Sequence, residues 1–169
     1  MNHIGTVELV EAEVDDLRAM LALYNDHIAH TTALFDHEEI DVEEFKNRLY
    51  IHNDRYKTFC IYADNETAGF CFLSPFRKKI AYDKTVEIGL YLKPQFTGQG
   101  LGGEIVNYME IVAKTNGFEM LVASVSGENL PSIKLFRKLN YEQCSHYKAI
   151  ATKFGRKLDI FDFQKAILG

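Results

Sequence analysis

Four glycines crowd into six positions of this chain, Gly98, Gly100, Gly102 and Gly103, between a strand-like run stopped by Pro94 and an amphipathic run that begins at Leu101. Lacking a Cβ, such residues let successive backbone N–H groups converge. A helix starting there adds partial positive charge at its N-terminus. The chemistry this serves is anion binding, with a pyrophosphate as the natural ligand. Two nucleotide-binding patterns use comparable loops, and both fit poorly. A dinucleotide site wants its glycines after an early strand and an acid closing the next strand, whereas Glu119 opens its strand. A P-loop wants Lys then Ser or Thr, whereas Glu104 follows Gly103.

Glu87 is the second residue that invites a chemical reading. On the strand over residues 84–92, alternation places Val86, Ile88 and Leu90 on one face and Thr85, Glu87, Gly89 and Tyr91 on the other. A carboxylate on a central strand is unusual unless it has a task or a partner.

The elements that must position these groups can be read from pattern. Residues 7–10 read as a strand. Asp15 or Asp16 then caps a helix with Leu17, Met20, Leu21 and Tyr24 on one face. Residues 30–39 form a loop around Ala33, Leu34 and Phe35, and Asp41 starts a helix carrying Val42, Phe45 and Leu49. Residues 58–63 and 68–74 are β-branched or aromatic runs separated by Asp64-Asn65-Glu66-Thr67, a hairpin signature. A loop over 75–82 carries Arg77, Lys78 and Lys79. After the glycines comes a helix with Leu101, Ile105, Met109 and Val112 on one face, ended by Asn116-Gly117. Residues 120–125 form an apolar strand buried on both faces. A short helix over 132–139 with Pro131 near its first turn precedes strands over 141–152 and 157–163, joined around Phe154-Gly155-Arg156. The order β-α-α-β-β-β-α-β-α-β-β makes an α/β (α+β) domain with a single mixed central sheet flanked by helices.

The chain has 169 residues, 47% hydrophobic and 25% charged, with a net charge of −5. That suits one globular domain over 1–169 and excludes a disordered chain. A mildly acidic protein is a poor bulk binder of nucleic acid or anionic membrane. The acidic N-terminus is no signal peptide, and no apolar run approaches the roughly 20 residues of a membrane span. Three scattered cysteines, Cys60, Cys71 and Cys144, argue against a disulfide framework or a zinc site. Cytoplasmic residence, no metal, no nucleic acid and no membrane partner are the expectations. His27, His30 and His37 read as cap, pocket-wall or surface residues. Phe154, Phe161 and Phe163 read as core or dimer surface.

The segment Leu90-Tyr91-Leu92-Lys93-Pro94-Gln95-Phe96-Thr97-Gly98-Gln99-Gly100-Leu101-Gly102 resembles the acetyl-CoA motif of GCN5-related N-acetyltransferases (GNAT), Q/R-x-x-G-x-G/A. Within that superfamily the chain is most similar to the phosphinothricin acetyltransferase group, through Tyr24-Asn25-Asp26-His27-Ile28, Ala81-Tyr82-Asp83-Lys84-Thr85-Val86-Glu87, and Asn129-Leu130-Pro131-Ser132-Ile133 with Leu139-Asn140-Tyr141. The resemblance implies the acyl-CoA N-acyltransferase fold. It also implies acetyl transfer from acetyl-CoA, a co-substrate, to a primary amine. A small amino acid or amino-acid analogue is the first acceptor reading. A protein N-terminus, a polyamine, an aminoglycoside or a silent acetyl-CoA-binding module are the alternatives. A homodimer is implied as well.

The resemblance also implies roles. Gln95 to Gly103 cradle the pyrophosphate, with Leu101 anchoring the helix inward. Leu90, Tyr91 and Leu92 offer backbone groups to the pantetheine arm, and Gly89 permits a bulge that splays the strands. An N–H near Leu90 polarises the thioester carbonyl. Glu87 is the general base, since an alkyl ammonium must lose a proton before attack. Asn129 and Ser132 contact pantetheine or phosphates, or Asn129 simply caps its helix. Where many relatives carry a tyrosine to protonate the leaving thiolate, this chain has Phe136. Phe35 and Tyr82 wall the acceptor pocket. Arg77 holds a substrate carboxylate or phosphinate, or lies in a solvated basic loop. Asp36 stands where the group often carries arginine, which counts against phosphinothricin itself as acceptor.

Overall fold

The computed structural model describes residues 7–168, so the first six residues of the acidic N-terminal reading and the last residue lie outside it. The elements are β1 (Val7–Glu11), α1 (Leu17–His30), α2 (Val42–Arg48), β2 (Thr58–Ala63), β3 (Glu66–Pro75), β4 (Thr85–Leu92), α3 (Leu101–Thr115), β5 (Met120–Ser126), α4 (Leu130–Lys138), β6 (Glu142–Lys153) and β7 (Arg156–Ala166). The order is the expected one. Among the described residues the strands make one sheet, β1-β2-β3-β4-β5-β7-β6. Every neighbouring pair is antiparallel except β4 and β5. A parallel pair needs a long crossover, and α3 provides it.

The sheet buries both faces over its centre. Leu101, Ile105 and Met109 of α3 and Ile133 and Phe136 of α4 share one core with Val86, Leu121, Ala123 and Phe163. On the other face, Leu17, Met20, Leu23, Tyr24 and Ile28 of α1 and Phe45 of α2 join Cys60 and Phe70. Leu23 and not Leu21 completes the buried stripe of α1, and Val42, expected to face inward, is exposed. On β4 the alternation holds: Val86 and Ile88 enter the α3/α4 core, while Tyr91 packs with Phe72 on the α1/α2 side. Glu87 shares the Tyr91 face.

Chain ends of the elements obey local chemistry. Asp41 accepts the Glu44 N–H at 2.9 Å and so caps α2. Asp16 does not cap α1 with its side chain; its carboxylate instead accepts the Glu13 N–H at 2.8 Å, tightening a 3-10 turn before the helix. At the end of α3, Gly117 sits at φ +83° and Phe118 N–H donates to Ala113 O, a closing pattern that satisfies the orphan carbonyls. The β2–β3 connection is tighter than the four residues of the hairpin signature. Asp64 and Asn65 both take positive φ and β3 begins at Glu66, the geometry of a two-residue hairpin turn. Helix α4 starts at Leu130, so that Pro131 lies inside its first turn, where the missing N–H costs nothing.

The sheet is incomplete at its centre. β4 and β5 pair only over Thr85, Val86 and Glu87 against Met120, Leu121 and Val122. Beyond Glu87 the two strands part, although β4 stays paired to β3 and β5 to β7. The expected bulge at Gly89 is absent, since β3 and β4 keep continuous register from Gly69↔Leu92 to Pro75↔Val86. Gly89 has another reason to lack a side chain: a Cβ there would stand 2.4 Å from Cζ of Phe72.

Candidate active site

The parted strands open a cleft of about 620 Å³. Its walls are Ile88 to Leu92 of β4 and Ala123 to Ser126 of β5. The glycine loop and the start of α4, with Asn129 and Ser132, line it as well. Of the residues expected at a cofactor, Leu90, Tyr91, Leu92, Phe96, Thr97, Gly98, Gly100, Gly102, Gly103, Asn129 and Ser132 all line it. Gln95, Gln99 and Leu101 do not. The Gln99 side chain turns back to donate to the Gln95 carbonyl at 2.5 Å, and Leu101 is buried in the core, 1% exposed.

The glycine loop is shaped as an anion cradle. Gly98 and Gly100 hold φ of +73° and +92°, with open space where a Cβ would be. Gly100 is the N-cap of α3 and offers no side chain to its first turn. Of the amides in that turn, Gly103 N–H is returned to Gly100 O at 3.1 Å. The opening turn of a helix leaves its other amides without intrahelical acceptors. The positive φ values suit glycine, and the open side leaves room for an anion beside these amides. Asn129 caps α4 by accepting Ser132 N–H at 3.2 Å, and it lines the cleft at the same time. Its capping role and its place in the cleft coexist.

The face of β4 that carries Glu87 is assembled from side chains. No ion pair or side-chain hydrogen bond holds the Glu87 carboxylate among the described residues. Burial, and then the charge of Asp162, push this carboxyl above the usual glutamate range. Asp162 itself accepts the Ser124 hydroxyl at 2.5 Å and the Ser145 hydroxyl at 2.8 Å. Burial also lifts the Tyr91 hydroxyl, with Tyr24, Glu87 and Asp36 pushing the same way and Arg48 opposing. The Tyr24 ring packs edge-on against that of Tyr91, centroids 5.3 Å apart. Arg48 spans the far side, donating to Asp36 at 2.9 and 2.8 Å, to Glu44 at 2.5 Å and to the Tyr24 hydroxyl at 3.0 Å.

The three residues expected at an acceptor lie outside the cofactor cleft. Phe35 is half-buried in the segment after α1. Arg77 is exposed beyond β3, its guanidinium 5.0 Å from the Phe76 ring centroid and 5.4 Å from that of Tyr82. It forms no ion pair among the described residues. Phe136, where many relatives carry a hydroxyl, is buried against Tyr141 and Phe163.

Several residues of the site give little sign of themselves in the sequence. His27 lines the cleft, and its Nε2 meets the Leu92 carbonyl at 3.2 Å, so one of the backbone groups assigned to the pantetheine is already engaged. A carbonyl can only accept, so Nε2 carries the hydrogen. Ser124 is an exposed position inside an otherwise buried strand, which the apolar run conceals. Lys153 ends a strand and is 1% exposed, where pattern alone puts a lysine in solvent. The other side chains weighed for chemistry take structural places. Cys60 and Cys71 are buried, with burial pushing the Cys60 thiol up to about 12, and His30 bonds back to Asp26 O. Phe163 is core, Phe161 packs against it and Phe154 is exposed.

Comparison with known proteins agrees with this geometry. Residues 19–141 match the acetyltransferase (GNAT) family. The chain is 28% identical over 152 residues to an L-methionine sulfoximine/L-methionine sulfone acetyltransferase of Pseudomonas aeruginosa, covering 89% of this chain and 88% of that protein. It is 27% identical over 159 residues to a phosphinothricin N-acetyltransferase of Streptomyces viridochromogenes, covering 94% and 87%. A phosphinothricin acetyltransferase of Sinorhizobium meliloti, solved with acetyl-CoA, superposes with a TM-score of 0.87 at 26% identity, covering 95% of this chain and 88% of that one.

Proposed function

The chain belongs to the acetyltransferase (GNAT) family, and on that premise we propose that it transfers acetyl from acetyl-CoA to the primary amine of a small amino acid or amino-acid analogue, with Glu87 as general base. The observation that carries the reading is where the sheet opens. β4 leaves β5 at the residue after Glu87, so Glu87 is the last paired residue before the cleft, whose lining on β4 begins at Ile88.

Each part of the reaction except protonation of the leaving thiolate has a residue. The amides of the glycine loop hold the pyrophosphate, and the free edge of β4 from Ile88 to Leu92 pairs with the pantetheine. Acetyl-CoA supplies an activated acyl group when bound. The Leu90 N–H polarises its carbonyl. Glu87, its carboxyl raised by burial, takes a proton from the acceptor ammonium directly or through a water. Phe136 has no proton to give, so the thiolate leaves unprotonated or is protonated by water. Asp36 now has a physical meaning as well. It occupies the Arg48 guanidinium bidentately, and Arg77, with Lys78 or Lys79, is proposed to meet an acceptor carboxylate instead. Phe35 and Tyr82 are proposed as walls of the acceptor pocket. The same reading carries one domain over the whole chain, a homodimer and a cytoplasmic setting.

A thiol-release assay with acetyl-CoA tests it against phosphinothricin, methionine sulfoximine, methionine sulfone, a polyamine, an aminoglycoside and an N-terminal peptide. Turnover of the amino-acid analogues, reduced in Arg77→Ala, is the expected result. Turnover confined to the other amines moves the substrate class. Acetyl-CoA binding with no turnover of any amine makes the chain a silent binding module.

A further inference from the structure

A buried ammonium is costly to take out of water, and apolar side chains of similar size fill cores as well or better. Lys153 is nonetheless 1% exposed at the end of β6. Its Nζ donates to Thr31 O at 2.9 Å and to Leu34 O at 2.7 Å. The exposed ring of Phe154 lies 4.9 Å from the ammonium. What Lys153 does that a methionine would not is hold two carbonyls at the two ends of one four-residue segment.

That segment borders both substrates of the proposed reaction. Ala33 lines the cofactor cleft. Phe35 and Asp36 come next, and Asp36 closes on Arg48 beside the Tyr24–Tyr91 rings. A second tie reaches the segment from the cofactor side. The Thr32 hydroxyl donates to Glu128 at 3.2 Å, and Glu128 is gripped by Arg156 at 2.8 and 2.7 Å. Glu128 precedes Asn129, which lines the cleft. The hairpin of β6 and β7 therefore fastens the acceptor-side segment at both Lys153 and Arg156.

We propose that Lys153 is a positioning residue for acetyl transfer, which fixes residues 31–36 as the wall against which the acceptor amine is presented to Glu87. It touches neither substrate and acts through the Thr31 and Leu34 carbonyls. The proposal rests on the reading of this face as the acceptor site.

The test is Lys153→Met, similar in length and without hydrogen bonds. Hydrogen exchange should speed up by about tenfold or more at residues 31–36 while the remainder of the chain is unchanged. With whichever panel amine the wild type acetylates, its KM should rise by about tenfold or more, with kcat and the CoA dissociation constant from calorimetry within about threefold. Exchange at 31–36 equal to wild type, or an unchanged amine KM, overturns the proposal. If Lys153→Met does not fold, Lys153→Gln, which can reach one carbonyl, is read by the same two measurements. A wild type that binds CoA but acetylates no amine in the panel fails the acceptor reading, and the positioning role falls with it. Failure of the positioning role alone shows as normal wild-type turnover with an indifferent Lys153 variant.

Discussion

The two sides of β4 are built of different materials. Toward the glycine loop the contact surface is backbone: the strand edge from Ile88 to Leu92 and the amides around Gly98, Gly100 and Gly102. Toward α1 and α2 it is side chains: Glu87 and Tyr91 share one face of β4, Tyr91 packs on Tyr24, and Arg48 links Tyr24 to Asp36. A backbone surface can bind a cofactor shared by many enzymes while side chains elsewhere vary. A side-chain surface is set by long-range packing and can be retuned for each acceptor.

Mutations should respect this division. Glu87→Gln is the largest test: kcat should fall by about 10²- to 10³-fold with CoA affinity kept, as expected for loss of a general base. Equal loss of CoA binding, measured by calorimetry, would erase the separation between the two sides. Gly100→Ala attacks the backbone side. Its Cβ meets no atom within 4 Å, so the cost comes from the φ of +92° alone. We expect about tenfold weaker CoA binding and roughly 1 kcal/mol of lost stability in urea melts, with the amine KM unchanged.

Asp36→Asn attacks the side-chain side. The amine KM should move by about threefold, because the Arg48 guanidinium loses its bidentate partner, while CoA affinity stays. A double-mutant cycle with Arg48→Met should give a coupling of about 0.5–1 kcal/mol, the scale of a partly exposed pair. The smallest effect concerns pH. Glu87 keeps its proton to higher pH in the folded chain than in the unfolded one. Between those two values the folded state binds more protons, so wild-type stability falls as pH rises. Glu87→Gln removes that loss, and its melting temperature relative to wild type should climb across the same window and then level.

The same division explains what is legible in the sequence. Glycine spacing and helix periodicity are local, so the cradle, the crossover helix and the order of all eleven elements can be read directly. Glu87 is legible because a strand's alternation is local too. Gly89 suggests a bulge that does not form, because its constraint is the Phe72 ring on a neighbouring strand. Lys153 and Thr31 lie 122 positions apart, and nothing near either one announces the bond. Asp36 visibly departs from the group's pattern, but its bond to Arg48 depends on how the 31–36 segment folds over α2.

The parting of β4 from β5 also has a consequence for the life of the chain without its cofactor. A strand with one unpaired side is an edge, and edges recruit other strands. Here the edge lies in the interior of the sheet, along one wall of the cleft. A CoA species bound along it, as proposed above, would cap it, and by mass action would raise the apparent stability with its concentration. The stability of the chain would then depend on the acyl-CoA around it as well as on its own packing.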